Sequence, residues 1–584
     1  MDRWNNDLAA AQARVSSLGT ARLLVFFITL FGGVVVLKTV PTYAGWVLLP
    51  AAGFVGLVMA NASARLLSAQ AQLACTWYEG AVARRNSEWA GKGHDGAGLV
   101  DDSHPYARDL DLFGKGSLFE LLCTCRTGLG RATLASWLTN PASGEKVRAR
   151  QQAVLELAAQ LDRREQLALL DPEGEGDLNG EALCAWAAED PVNIGPGQRI
   201  IAVLLALFSI ASVIAWEAYG MGMGPLAAAI VLCLVLDQLL PKGLKAVDSG
   251  AQLADAGLPL LVGLLQSLED HPVTCPELAS LKERICTPLG PPSSSVDRLR
   301  KLVAALENAK FNSLFAPIAF LLRFKVHRLW AIESWRRQAG PSIAEWIDAA
   351  GEYEALVALA TYAYEHPNDV MPLVVDGSPQ LHAVSIAHPL LPRDGAVTND
   401  VTLDKDHALL LISGSNMSGK STLLRTVGSG VVLALAGAPV RAASLTLTPL
   451  SLGASIQIVD SLLSGESHFY AEIRRLATID ELAKREPQTL FLLDEILHGT
   501  NSSDRLAGAG AVISGLVERG ALGLVTTHDL ALTAIADKLG ERAANVHFED
   551  SLADGRMVFD YRMREGVVSR GNALALMRSL GLDV

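Results

Sequence analysis

Charge is scarce in this 584-residue chain, and basic charge scarcer than acidic. Asp, Glu, Lys and Arg make up 19% of it against 50% hydrophobic residues, and the net charge is −13. That deficit excludes a protein coated in basic surface for non-specific DNA binding, while leaving room for a local patch. With a positive mean hydropathy, the composition is too apolar for an ordinary soluble enzyme and points to lipid contact for part of the chain. Cysteine offers little as well. The seven residues Cys75, Cys123, Cys125, Cys184, Cys233, Cys275 and Cys286 include no C-x-x-C pair. Cys123 and Cys125 are also too close in sequence for a usual zinc knuckle, so reduced, structural thiols are expected. Low-complexity tracts are absent, as is any internal repeat beyond one duplicated apolar hairpin.

The scarcity of charge is most marked between Arg22 and Arg65, where Lys38 is the only charged residue. Residues 23–38 and 43–62 therefore read as two membrane helices, with Pro41 and Tyr43 at the turn and Trp46 near an interface. A hydrocarbon core needs about 17 to 20 such residues, and Lys38 can snorkel to extend the first run. A second pair is expected at 200–216 and 222–240, with Asp237 near the end of its second helix. Arg3, Arg14 and Arg22 precede the first pair; Arg65, Arg84 and Arg85 follow it. Arg199 precedes the second, and Lys242 and Lys245 follow. Both hairpins thus enter from the cytoplasm and return to it. The alternative for each pair is a buried helical hairpin of a soluble core. A cleaved signal peptide fits poorly, because the stretch before the first run is long and carries Asp2 and Asp7.

Residues 104–198 read as soluble and mostly helical, with apolar residues at helical spacing from 109 to 140 and an acidic connector at 170–180. Pro288 to Ser295 reads as a loop, and 295–365 as helical but broken at Gly340-Pro341. After 367, Pro and Gly punctuation between β-branched runs signals an α/β domain.

That domain carries the chemistry. Gly414-Ser415-Asn416-Met417-Ser418-Gly419-Lys420-Ser421-Thr422 fits a P-loop, with an apolar strand, 408–412, leading in and a helix from about Lys420 leading out. Its glycines let backbone N–H groups turn toward phosphates, and the helix N-terminus adds a positive dipole end. Lys420 suits the β- and γ-phosphates of ATP, and the Ser421 hydroxyl suits Mg²⁺. Residues 489–493 read as a buried parallel strand ending in Asp494 and Glu495. Asp494 suits Mg²⁺ and Glu495 the general base for the attacking water. A third strand, Leu522 to Thr527, ends at His528, expected as a γ-phosphate sensor.

These elements resemble the MutS family of ABC-type ATPases, closely over 385–584. The Asn416-Met417 pair is similar to that family's G-P-N-M-x-G-K-S-T loop. Asp460 to Glu472 looks like its signature segment, with His468 and Glu466 replacing the family's threonine and its usually basic residue. Asp494-Glu495 through Gly499-Thr500 to Asp504 looks like its D-E-x-x-x-G-T-x-x-x-D run, and Thr527-His528 like its T-H switch. His388-Pro389, Asn399-Asp400 and the element from Gly566 through Ser569 to Ala573 are similar to further family segments. The resemblance implies a dimeric site, with Ser467, Phe469, Gly499 and Thr500 acting on the partner subunit's ATP. It also implies a helical core and lever region ahead of the ATPase domain.

The expected organisation is a membrane hairpin at 1–65, a linker and helical core at 66–198, a second hairpin at 199–241, helical levers at 242–366 and the ATPase domain at 367–584. No Phe-x-Glu segment of a mismatch-reading domain is found, so a membrane-anchored branch is implied, with its soluble parts in the cytoplasm. The resemblance makes distorted or mismatched DNA the first candidate partner. Lys310, Arg323, Lys325, Arg328, Arg336 and Arg337, interleaved with Trp330 and Trp335, form the basic stretch that could meet DNA or anionic lipid. An ATPase engine or scaffold of a membrane complex, not acting on DNA, is the alternative.

Overall fold

Apolar helices, a helical body and two C-terminal β-sheets follow one another along the chain in the computed structural model. The structure describes residues 1–568 apart from 40, 102, 173–177, 191, 193–195, 240–246, 251–256, 289, 314, 416, 458–467, 487, 498–500 and 554–555.

The first apolar pair is longer than its hydrophobic runs suggest. Helices Asp2–Thr39 and Leu48–Arg85 have 38 residues each, about 57 Å at 1.5 Å per residue and roughly twice the thickness of a hydrocarbon core. Their apolar middle faces outward, Leu24 being 60% and Phe31 65% exposed. Their polar ends dock on the helical body instead. Arg84 grips Glu365 through two hydrogen bonds of 2.8 and 2.6 Å, Trp4 donates to Glu165 at 3.4 Å, and the Tyr78 hydroxyl also meets Glu165.

Among the described residues, three helices are long and apolar enough to cross a membrane: Asp2–Val36, Gly45–Arg85 and Gly197–Tyr219. The expected fourth span contains helix Gly224–Leu239, which has 16 residues among those described, a rise of about 24 Å. Its Asp237 is paired with Arg323 at 2.6 Å, and Arg323 also donates to the Cys233 carbonyl at 3.1 Å.

The helical body differs from the expected pattern in three places. The 109–140 stretch yields two short helices, Leu118–Leu122 and Gly128–Thr139, because Ser117 and Thr127 each turn to cap a new N-terminus. The loop expected from Pro288 to Ser295 ends early. Pro292 takes the first position of helix Pro292–Phe311, and Glu269 accepts the Ser293 N–H at 2.7 Å. Third, Gly340-Pro341 does not break the chain: helix Phe324–Glu365 runs through it for 42 residues. The break falls earlier, at Arg323, whose φ of 54° is left-handed.

Several cations of the basic stretch are engaged within the fold. Arg336 is buried and bonded to Glu333 and the Trp186 carbonyl, while Lys310 and Lys325 both hold Asp248. Trp335 is buried, stacks on Trp186 and donates to the Ser295 carbonyl. Carboxylates from neighbouring elements thus match several charges of the stretch that could meet DNA or anionic lipid, while Lys325 and Arg337 stay exposed.

The α/β part holds two sheets. Strands β1 (Leu373–Val374), β2 (Leu381–Ile386), β3 (Asn399–Leu403) and β5 (Ser444–Leu447) form a small sheet in the order β1-β5-β2-β3. Strands β4 (Leu409–Ser413), β6 (Ser451–Ser455), β7 (Thr489–Asp494), β8 (Leu522–Thr527), β9 (Ala543–Ala553) and β10 (Arg556–Glu565) form the main sheet in the order β10-β9-β4-β8-β7-β6. Every pairing there is parallel except β9 with β10. Strands β4 and β8 are buried along their whole length, as continuous apolar runs in a doubly covered parallel sheet must be. The carboxyl ends of β4, β7 and β8 lie side by side, with Ser413 opposite Thr527 and Asp494 opposite Thr526. Open parallel sheets bind ligands at such an edge.

Candidate active site

The loop after β4 turns on glycine. Gly414 has φ 152° and Gly419, the N-cap of helix Lys420–Ala436, has φ 102°. Met417 also takes a positive φ of 69° and is 83% exposed. Lys420 is 4% exposed, and its ammonium donates to the Gly414 and Ser415 carbonyls at 2.9 and 2.8 Å. The Ser415 and Ser418 hydroxyls are buried without a hydrogen-bond partner among the described residues. Buried polar atoms left in that state cost free energy unless a ligand or water meets them.

At the tip of β7, Asp494 accepts a hydrogen bond from the Thr526 hydroxyl. The Glu495 N–H donates to the Thr526 carbonyl at 3.2 Å and hydroxyl at 3.1 Å, which ties the end of β7 to β8. Glu495 sits at φ 48° and Leu497 at φ 60°. Left-handed non-glycine residues at a strand tip store strain that surrounding structure must hold. Here the buried Glu472 carboxylate accepts the Leu497 N–H. One Glu495 oxygen lies 3.6 Å from Lys420 Nζ, and the other lies 3.4 Å from His528 Nδ1. Three elements distant in sequence thus meet on one carboxylate.

A cavity of about 760 Å³ opens over this group. Met417, Gly419, Lys420, Ser421, Thr422, Asp494 and Glu495 line it on one side. His388, Val397, Asn399, Phe548 and Tyr561 also line it. Burial, with Arg425 and Arg441 nearby, holds His388 down to about 4, so its ring stays neutral at physiological pH. Tyr561 escapes a reading of motifs, since no motif surrounds it on strand Arg556–Glu565. The asparagine that places it was visible: Asn399 donates to the Tyr561 carbonyl at 3.0 Å and accepts the Met563 N–H at 2.7 Å.

Of the expected site residues, Asn416, Ser467, Gly499 and Thr500 lie outside the described residues, as does the closing segment from Ser569. Phe469 stands in the first turn of helix His468–Arg485, packed partly against the core. Among the described residues, no group of three His, Cys, Asp or Glu side chains could hold a metal. Mg²⁺ does not need one, since it keeps waters and takes one or two protein oxygens beside phosphates. The Ser421 hydroxyl and Asp494 carboxylate, both on this cavity, are hard oxygen donors of that kind.

A family model described as MutS domain V matches residues 410–582. Over 255 residues the chain is 35% identical to DNA mismatch repair protein MutS 2 of Halobacterium salinarum, covering 42% of this chain and 28% of that protein. It is 38% identical over 200 residues to DNA mismatch repair protein MutS of Shouchella clausii, covering 34% and 22% respectively. A longer match, 28% identical over 522 residues, joins it to DNA mismatch repair protein MutS of Myxococcus xanthus and covers 80% of this chain and 56% of that one. The chain therefore spans between 22% and 56% of the length of these relatives.

Proposed function

The chain belongs to the MutS family, and from that premise we propose that it is a membrane-anchored ATPase whose sites are shared between two copies. The presence of Lys420, Asp494 and Glu495 on one cavity, with His528 beside Glu495, supports this reading. The backbone N–H groups of 414–419 and the N-terminus of helix Lys420–Ala436 cradle the phosphates of ATP. Lys420 exchanges its loop carbonyls for phosphate oxygens. Ser421 and Asp494 would hold Mg²⁺, which would supply positive charge against the charge developing on the phosphates. Glu495 accepts the proton of the attacking water, and His528 orients that carboxylate and senses the γ-phosphate. Tyr561 and the wall from His388 to Asn399 offer an apolar face for the base. Ser467, Phe469, Gly499 and Thr500 complete the site from the second copy, which makes a homodimer the active form.

The two apolar hairpins anchor the dimer in a bilayer, with the helical body and ATPase domain in the cytoplasm. The relatives are named for DNA mismatch repair, and distorted or mismatched DNA is the partner this suggests. A second reading, an ATPase engine or scaffold of a membrane complex that does not act on DNA, is favoured by one observation. Lys310, Lys325 and Arg336, part of the stretch that would meet DNA, are held in ion pairs within the fold.

The catalytic assignment is tested with Glu495→Gln in the full-length protein. Nucleotide binding should persist, while hydrolysis falls by about 10²- to 10⁴-fold, the usual worth of a general base. Undiminished turnover would remove Glu495 from that role.

A further inference from the structure

At the foot of the second hairpin, three guanidinium groups are left over after the ion pairs are counted. Arg199, Arg298 and Arg328 have no carboxylate partner among the described residues. Arg199 lies at the start of the apolar helix Pro196–Tyr219 and over the Trp330 ring at 5.5 Å. Arg328 packs on Phe324 at 4.5 Å. It stands five residues beyond Arg323, which clamps Asp237 at the end of the other apolar helix. At 1.5 Å per residue, that is about 8 Å along the helix axis.

Between helix Pro292–Phe311 and this helix lies a cavity of about 380 Å³, lined by Ser294, Asp297, Arg298, Lys301, Leu302 and Arg328. Ser294, Arg298 and Lys301 share one helical stripe. Asp297, the one carboxylate there, is already matched by Arg300 at 2.6 Å and Lys301 at 2.7 Å. The cavity thus has an unmet positive charge and a hydroxyl, and it adjoins the apolar helices.

We propose that Arg298, Lys301 and Arg328 bind the phosphate of an anionic phospholipid headgroup at the foot of the second hairpin, an inference that rests on the membrane reading above. The chemistry fits at three points. Guanidinium groups bind phosphate through paired N–H donors. Trp330 beside Arg199 is the residue type found at headgroup level. His327, beside Trp330, is pushed down first by burial and then by Arg199, Arg323 and Arg328, which places their positive field in one spot. A DNA surface, by contrast, needs a stripe of cations matched to many phosphates. The neighbouring cations Lys310, Lys325 and Arg336 are already spent on carboxylates.

The test uses the full-length chain in neutral detergent, with native mass spectrometry counting bound phosphatidylglycerol against phosphatidylcholine. The wild type should prefer phosphatidylglycerol. The double variant Arg298→Gln/Arg328→Gln should bind it about thirtyfold more weakly, at about fivefold per cation near an anionic surface. ATP turnover should be unchanged, since neither arginine lies on the nucleotide cavity, and this also reports an intact fold. Equal phosphatidylglycerol binding by both proteins overturns the site. So does displacement of the lipid by millimolar inorganic phosphate, which would mark a soluble-anion site. Binding of duplex DNA that the same double variant abolishes also overturns it, in favour of a nucleic-acid surface. Release of the chain from membranes by alkaline carbonate overturns the membrane reading alone, whereas loss of discrimination between the two proteins overturns the headgroup site alone.

Discussion

Tyr561 reaches the cavity beside the glycine-rich loop because its strand is deformed. Register between β9 and β10 shifts between Phe559 and Met563, and Tyr561 sits there with φ 54°. A bulge of this kind re-aims a side chain, and Asn399 holds it through the two hydrogen bonds that flank the irregularity. Gly419 makes the approach possible, since a Cβ there would lie 3.1 Å from the Tyr561 ring. Tyr561→Ala should therefore weaken ATP binding by about tenfold, the worth of one aromatic contact. Tyr561→Phe should bind as the wild type does. Titration of a fluorescent ATP analogue measures both, and an unaltered affinity in the alanine variant would remove Tyr561 from the base site.

Helix Phe324–Glu365 poses its question at the scale of the element. Gly340-Pro341 is a helix-breaking pair by propensity, yet 42 residues remain one helix. The reason for the glycine is a neighbour: a Cβ at Gly340 would lie 2.9 Å from the Ala187 carbonyl, at the end of helix Gly180–Ala188. Burial of Ile343, Trp346 and Ile347 beyond the proline, and of Ile332 and Trp335 before it, keeps the helix continuous through Pro341. Gly340→Ala should then lower stability by about 1 to 3 kcal/mol, the usual cost of overpacking. Pro341→Ala should hold or raise it, since an interior proline costs up to about 3 kcal/mol in a helix. Thermal unfolding in detergent distinguishes the two, and a destabilising Pro341→Ala would mean that the proline is itself required. The local pattern could not reveal this continuity, because propensity reports a residue's cost and not the packing that offsets it.

Across the whole molecule, the helical body grips the α/β part near its chemistry. Asp109, 1% exposed, accepts the N–H groups of Ile456 and Gln457 just after β6, and Arg475 of the following helix lies 3.7 Å from it. Arg425 on the helix after the glycine-rich loop meets Asp111 at 3.1 Å. Arg84 and Glu365 in turn join the helical body to the first apolar pair. Whether DNA lies at the far end of this chain of contacts is a question of salt dependence. If DNA is the partner, affinity of the detergent-solubilised protein for mismatched duplex should fall steeply between about 50 and 200 mM salt, as counterions return to the phosphates. ATP turnover should change when the duplex is added. Neither effect, at any salt concentration, would leave the membrane-complex reading in place.

What the sequence determined by itself was local and chemical. Contiguous residues bring the loop from Gly414 to Thr422 and the Asp494-Glu495 pair into being, and the apolar runs of β4, β7 and β8 dictate buried strands, because glycine spacing, charge and hydrophobicity act over a few positions. The tertiary structure decided what depends on distant partners. It brought Lys420 and His528 each within 3.6 Å of the Glu495 carboxylate. It swung Tyr561 over Gly419, carried a helix through Pro341, and spent most of a basic stretch on internal carboxylates. The physical reason is that a pairing energy belongs to two groups at a distance, and a linear pattern records only one of them at a time.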